Sequence, residues 1–398
     1  MRARSPRVYG SGWRIEVERN GADGSVGCAE HLEDHLQNIC DEFAHGVRAI
    51  LPEPLLEGIA LGGGYGRGEG GVLETSHGDR PYNDVEFYIF VRGHPWFAAK
   101  RFAKRLHLLA EDLGQFAEAE LEFKIDSLPM LRRRSPNLFD HDLIMGHRWL
   151  LGDDRLFGGC EQHRQPQKLP ISEATRLLMN RCSGLLFARE KLVPSRFQKE
   201  DADFVCRNIS KTELALGDAV LIALGQYHWS CLERGQRLRR MRAAAELPWI
   251  QEVRKRHGEG IQFKLQPYRS RLSRAALLQQ LLLTSSLALR VWLWLEERRL
   301  GVEFQYPTDY VASSIDKWPD PRHWRNRLAN LNVFGLRSIF FPGGWRHPRN
   351  RILNALIMLL WMRAESSPQL KREAEHELML SRSNGLIRAY RERWQRAS

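Results

Sequence analysis

Cysteine is scarce and scattered in this chain. Its 398 residues hold six, at Cys28, Cys40, Cys160, Cys182, Cys206 and Cys231, with no Cys-x-x-Cys pair. That spacing argues against a zinc framework and a disulfide scaffold, and a reducing, cytoplasmic setting is expected. The first residues, MRARSPRVYGSG, are basic but lead into no apolar core of leader length, so secretion is not expected. The longest apolar run, Ala275 to Leu295, is broken by Gln279, Gln280 and Arg290. A charge at mid-bilayer is costly, so the run reads as a buried amphipathic helix and no membrane partner is expected. No period of about 20 to 50 residues repeats, which disfavours a helical solenoid.

What is present is an ordinary apolar fraction, 43%, in a chain long enough for two domains. Lys and Arg outnumber Asp and Glu by 60 to 48, for a net charge of +12. Such a balance points to phosphate-bearing partners without specifying a fold.

Residues 1–27 carry Gly and charge without periodicity and read as an N-terminal arm. From His31 to Leu51 the apolar positions Leu32, Leu36, Ile39, Phe43 and Val47 trace one helical face, which Pro52 and Pro54 end. Leu55 to Leu61 then predicts a short strand running into the glycine-rich LGGGYGRGEGG of Leu61 to Gly71. Val85 to Val91 predicts the next strand. Asp84, Glu86 and Tyr88 share one face of it, because strand side chains alternate. A crossover helix marked by Phe102, Leu106, Leu109 and Leu113 leads to a third strand, Ala119 to Ile125, with Glu120, Glu122, Lys124 and Asp126 on one side. Leu143 to Asp154 predicts a last edge strand and turn.

Beyond a polar boundary, Gly158 to Pro170, the pattern is helical. The predicted helices are Ser172 to Leu192, capped by Ser172; Asn208 to Leu232; Arg240 to His257; Ser273 to Arg299; Asn350 to Ala364, capped by Asn350; and Pro368 to Trp394. Gly301 to Pro321 and Gly335 to Pro348 read as loops. The expected class is therefore α+β: a small mixed β-sheet domain with flanking helices over residues 28–160, followed by an all-α domain over 170–398.

Two carboxylates two apart on one strand, Asp84 and Glu86, with a third on a neighbouring strand, supply the hard oxygen ligands that a two-metal phosphoryl-transfer site needs. Glycines at the preceding turn let backbone N–H groups approach phosphate oxygens. In order and spacing these residues resemble the polymerase-β-like nucleotidyltransferase superfamily. Its signature is a strand ending in Gly-Gly or Gly-Ser, a loop, an Asp-x-Asp or Asp-x-Glu strand and a third acid on a later strand. Gly63 and Gly64 match the glycine pair, and Asp84 and Glu86 match the paired acids. Asp126 is taken as the third acid, with Glu122, on the same face, as the rival. The string GGYGRGE from Gly63 to Glu69 is similar to that of the uridylyltransferases that modify the PII signalling protein. The spacing departs from the usual pattern: Leu73 to Arg80 (LETSHGDR) is extra and is expected to loop out.

The resemblance implies two Mg²⁺ ions, or Mn²⁺ in their place, held by Asp84, Glu86 and Asp126. It also implies a nucleoside triphosphate such as ATP on Gly63 and Gly64, and a Lys of the helical domain on the triphosphate, for which Lys211 in KTELALGDAVL is the best match. Arg67, inside the loop, suits phosphate as a planar fork, or orders the loop through Glu69 or Asp84. The implied reaction moves a nucleoside monophosphate onto a hydroxyl-bearing small molecule or protein with release of pyrophosphate. The alternatives are transfer to an RNA end such as that of tRNA, and a nucleotide-binding or interaction protein without turnover. The sequence names no acceptor.

Overall fold

The computed structural model describes residues 26–397 apart from 76–77, 194, 196, 243–246, 341–342 and 381–384. The arm over residues 1–27 lies outside the described residues except for its last two, which open the first helix. The described part is mixed α+β, with a small sheet near the start and helices beyond it. It divides into two compact units. The first extends to Leu169 and also takes His228–Arg234 and Ile261–Tyr268; the second holds Pro170–Tyr227, Gly235–Gly260 and Arg269 onward.

In the first unit α1 (Val26–Ile50) is followed by β1 (Leu56–Leu61), the short α2 (Gly63–Gly66), a hairpin of β2 (Val72–Thr75) and β3 (Gly78–Pro81), and β4 (Val85–Val91). Next come α3 (Pro95–Ala117), β5 (Leu121–Asp126), α4 (Leu128–Arg133), α5 (Leu138–Met145) and β6 (Arg148–Leu151). Four strands form one mixed sheet in the order β5-β4-β1-β6. β4 runs antiparallel to β1 and parallel to β5, so α3 is the crossover that parallel pairing requires. Alternation along β4 gives the sheet two apolar faces. Val85, Phe87, Ile89 and Val91 pack with α1 and α3, and the Phe43 ring stacks on Phe87 at 3.8 Å. Tyr88 and Phe90 face the other way, into a smaller cluster with Leu128, Leu131, Leu143 and Phe157.

Two expectations change here. The described residues of LETSHGDR leave the main sheet as expected but are ordered as strands: Leu73 pairs with Arg80 and Glu74 with Asp79 in the separate β2–β3 hairpin. Of the strand expected from Leu143 to Asp154, only Arg148–Leu151 is extended. Residues up to Met145 finish α5, whose N-cap Asn137 accepts from the Asp140 N–H.

The remaining helices are α6 (Ser172–Lys191), α7 (Lys199–Ala223), α8 (Cys231–Arg240), α9 (Ile250–Leu265), α10 (Arg274–Leu300), α11 (Pro307–Ala312), α12 (His323–Phe334), α13 (Arg349–Leu360), α14 (Pro368–Glu377) and α15 (Leu386–Ala397). α7 starts earlier than its apolar spacing suggested because Gln198 and Asp201 form a capping box. Ser172 and Asn350 do not cap. Ile171 precedes α6, and Asn350, inside α13, accepts the Lys317 N–H at 2.7 Å. α11 and α12 occupy stretches read as loop or left unassigned. α10 is long and apolar enough to cross a membrane, but half of its most apolar window is buried, and it packs on α6 and α7.

The second unit is centred on buried apolar residues of α6, α7, α10 and α13, with Trp292 fully enclosed. Glu296, also enclosed, accepts from the Thr175 hydroxyl at 2.6 Å, the Tyr310 hydroxyl at 2.8 Å and Arg299 Nε at 2.8 Å. Each of its oxygens therefore has a donor, as a buried carboxylate requires.

Candidate functional site

Sheet polarity places the glycine turn beside the paired acids. β1 ends where β4 begins, and the Gly62 N–H donates to the Glu86 carbonyl at 2.8 Å. Gly63 has φ +61°, and a Cβ there would lie 2.5 Å from Glu86 Oε1. Only glycine therefore both takes this turn without strain and leaves the carboxylate where it is. Asp84 precedes β4 and is exposed; Glu86 is half-buried. The Tyr88 hydroxyl donates to Glu86 Oε2 at 3.0 Å. Burial first, and then the Glu86 charge, push the Tyr88 phenol up, so it stays a donor and orients the carboxylate.

The extra residues of the hairpin are closed off at their base by Tyr65. Its buried hydroxyl donates to the Gly71 carbonyl at 2.9 Å and accepts from the Tyr82 N–H at 2.9 Å. Asn83 Oδ1 accepts the Gly71 N–H at 2.9 Å. Gly70 is required under this ring, because a Cβ would meet Tyr65 Cδ1 at 2.1 Å. With the neck held shut, hairpin length does not separate Gly63 and Gly64 from Asp84. The other end of the glycine loop is anchored by Glu69, whose carboxylate accepts from Ser230 Oγ at 2.5 Å and from the Cys231 N–H at 2.9 Å, at the start of α8. Burial would raise the Glu69 carboxyl, but these donors and the nearby Lys264 and Arg234 outweigh it and hold the group below the usual range. Lys264 donates to the Glu69 carbonyl at 2.8 Å, and its own burial lowers its ammonium.

Asp126 is not brought to Asp84 and Glu86. In the parallel register Glu86 pairs with Glu122, while Asp126 pairs with Phe90, four positions further on and roughly 13 Å along the strand. At that far end the Asp126 carboxylate is buried and accepts from Arg134 Nη2 at 2.8 and 2.9 Å; Arg134 Nη1 donates to Asp140 at 2.7 Å. Lys124 Nζ adds a second cation at 3.6 Å. Asp126 is thus occupied as a structural ion pair, and Glu122, which is exposed, is the residue of β5 that stands opposite Glu86 in the register.

Arg67 is turned neither to Glu69 nor to Asp84 but to Asp142, at 3.6 Å. Lys211 is exposed in the middle of α7, not at a helix start, and belongs to the second unit. Asp218, two turns on, is buried against His257 Nε2 at 3.0 Å.

Among the described residues neither Asp84 nor Glu86 is in an ion pair, and no three His, Cys, Asp or Glu side chains converge as a metal-holding group. The donor chemistry nonetheless fits Mg²⁺, which commonly takes one or two carboxylates and completes its octahedron with phosphate oxygens and water. Comparison of the chain with family models, with curated proteins and with solved structures finds no significant match.

Several residues that shape this site escaped the sequence reading. Arg134 lies in the visible run Arg132 to Arg134, and Tyr88 follows Glu86 on its face, so both had a local signal. Lys264, 195 positions from Glu69, had none.

Proposed function

We propose that the first unit is a metal-dependent nucleotidyltransferase domain of the polymerase-β-like kind, and that the chain transfers a nucleoside monophosphate from a triphosphate to an acceptor hydroxyl, releasing pyrophosphate. The observation that supports this most directly is the abutment of Gly63 on Glu86, with Asp84 exposed beside it and neither acid in an ion pair among the described residues. Asp84 and Glu86 would hold Mg²⁺, which when bound supplies charge neutralisation for the triphosphate and a more acidic acceptor hydroxyl. Glu122 is the third acid in this reading. Tyr88 holds Glu86 in its rotamer, and the N–H groups of the Gly63–Gly64 turn receive phosphate oxygens. Lys211 stays a candidate triphosphate contact. The acceptor classes read from the sequence all stay open: small molecule, protein or RNA.

Incubation with α-labelled nucleoside triphosphates, Mg²⁺ and candidate acceptors tests the reading. Label should reach the acceptor, and Asp84→Ala should cut the transfer at least about a hundredfold, the scale seen when one group stabilising transition-state charge is removed. Transfer that survives Asp84→Ala overturns the assignment. The absence of a three-carboxylate group among the described residues favours one second reading, nucleotide binding without turnover. In that case nucleotide binds, Asp84→Ala weakens it, and no label moves.

A further inference from the structure

A second site lies in the helical unit. α12 and the turn before α13 enclose a cleft of about 540 Å³ lined by His323, Trp324, Arg327 and Trp345. Indole rings are normally buried, yet Trp324 is 62% and Trp345 44% exposed. Their exposure is built in. Two asparagines buried in α12 are given over to the turn that carries Trp345: Asn326 Nδ2 donates to the Trp345 carbonyl at 3.1 Å, and Asn330 Nδ2 to the carbonyls of Gly344 at 3.0 Å and Arg346 at 2.7 Å. Three successive carbonyls, those of Gly344, Trp345 and Arg346, are thereby tied to the helix, while the indole is left out in solvent. His323 stands edge-on to that indole, with ring centroids 5.6 Å apart at 83°.

The exposed charge around the rings is mainly cationic, the nearby Asp320 carboxylate being taken up by Arg322. Arg325 lies over Trp324 and Arg346 over Trp345, each 5.1 Å from the ring centroid. Arg325, Arg327 and Arg337 are exposed and form no ion pair among the described residues. This excludes a quaternary-ammonium cage, since a cationic ligand would meet guanidinium groups at the mouth. Flat rings to stack on, together with guanidinium groups for phosphate, match a nucleobase with its attached phosphate. Exposed arginines stand at several positions, Arg325 and Arg327 on α12 and Arg337 beyond it, which suits the successive phosphates of a strand. We infer that the cleft between Trp324 and Trp345 binds single-stranded nucleic acid, stacking unpaired bases on the two indoles and holding the backbone with Arg325 and Arg327.

This inference stands apart from the nucleotidyltransferase reading, and its test separates the two. The full chain is titrated into a labelled twelve-residue oligouridylate, with anisotropy and tryptophan quenching as readouts. Binding should weaken with salt, as phosphate contacts do. Trp324→Ala with Trp345→Ala should weaken it about tenfold or more, in line with the loss of base stacking. The matching pair Trp324→Phe and Trp345→Phe should restore most of it, Arg327→Gln should flatten the salt dependence, and Asp84→Ala should leave it unchanged. Three results would overturn the inference: no binding at low salt, equal binding by the double alanine variant, or equal binding of polyglutamate. Uridine monophosphate binding as tightly as the twelve-residue strand would overturn the strand in favour of a mononucleotide pocket.

Discussion

At one end of the β4–β5 pair Asp84 and Glu86 form no ion pair among the described residues, whereas at the other end Asp126 and Asp140 are bridged by Arg134, with Lys124 alongside. All four acids sit within one small unit, so the contrast is not one of fold. Its cause is burial: Asp126, at the end of β5, and Asp140, within α5, are buried where a bare carboxylate is not tolerated, while beside the glycine turn Asp84 is exposed and Glu86 half-buried. A carboxylate used as structure carries its counter-charge with it. One that forms no ion pair among the described residues can accept a ligand that brings the positive charge itself.

The sharpest way to break this comparison is to strip the far end. Arg134→Met leaves two buried acids facing each other and should cost about 4 kcal/mol in urea unfolding. A loss below about 1 kcal/mol would mean that the pair is solvated and that the two ends do not differ. Next in size is the choice of third acid. Glu122→Gln should lower nucleotidyl transfer by about a hundredfold with the midpoint of unfolding unchanged, whereas Asp126→Asn should lower stability and leave the rate per folded molecule within a few-fold. The opposite pattern would return the role to Asp126.

An intermediate case sits in the second unit. Glu213 is buried, and burial pushes its carboxyl up to about 7 even though Thr284 donates to it and Arg256 lies 3.2 Å away. The ion pair is too dilute to reverse the shift, because Arg256 also serves Glu252 and Glu259. A folded-state value above the unfolded one means that the folded chain keeps a proton the unfolded chain has released. Stability should therefore fall as pH rises from about 4.5 to about 7, by about 3 kcal/mol, and be level above that. Glu213→Gln should remove the slope in pH-dependent unfolding curves; a slope that persists assigns it elsewhere. The smallest effect belongs to Lys211→Ala. If this exposed side chain touches the triphosphate, KM for the nucleotide should rise about fivefold with kcat unchanged. An unchanged KM leaves it a solvated surface lysine.

Much of the first unit was legible because its signals are local. Period-two alternation marked β4 and β5, the glycine cluster marked the turn, and the spacing from Leu32 to Val47 marked α1. The helical unit was legible in type but not in detail. α7 begins at a polar capping box outside its apolar pattern, and α12 is held by Asn326 and Asn330, whose carbonyl partners lie up to 19 positions away. The closure of the 73–80 excursion was not legible, because it depends on Tyr65 bonding to Gly71 and Tyr82, up to 17 positions away.

The amino-acid order by itself determined which residues share a face: Glu86 with Tyr88, and Glu122 with Lys124 and Asp126. That follows from the two-residue repeat of any strand. It could not separate Glu122 from Asp126, because both have the same parity. Only the pairing of β4 with β5 decided that, setting Glu122 opposite Glu86 and carrying Asp126 to the far end, where Arg134 neutralises it. Register is a long-range choice, made by the packing of α3 and the sheet faces over many residues at once. The charge state of a carboxylate depends on which distant groups that choice places around it.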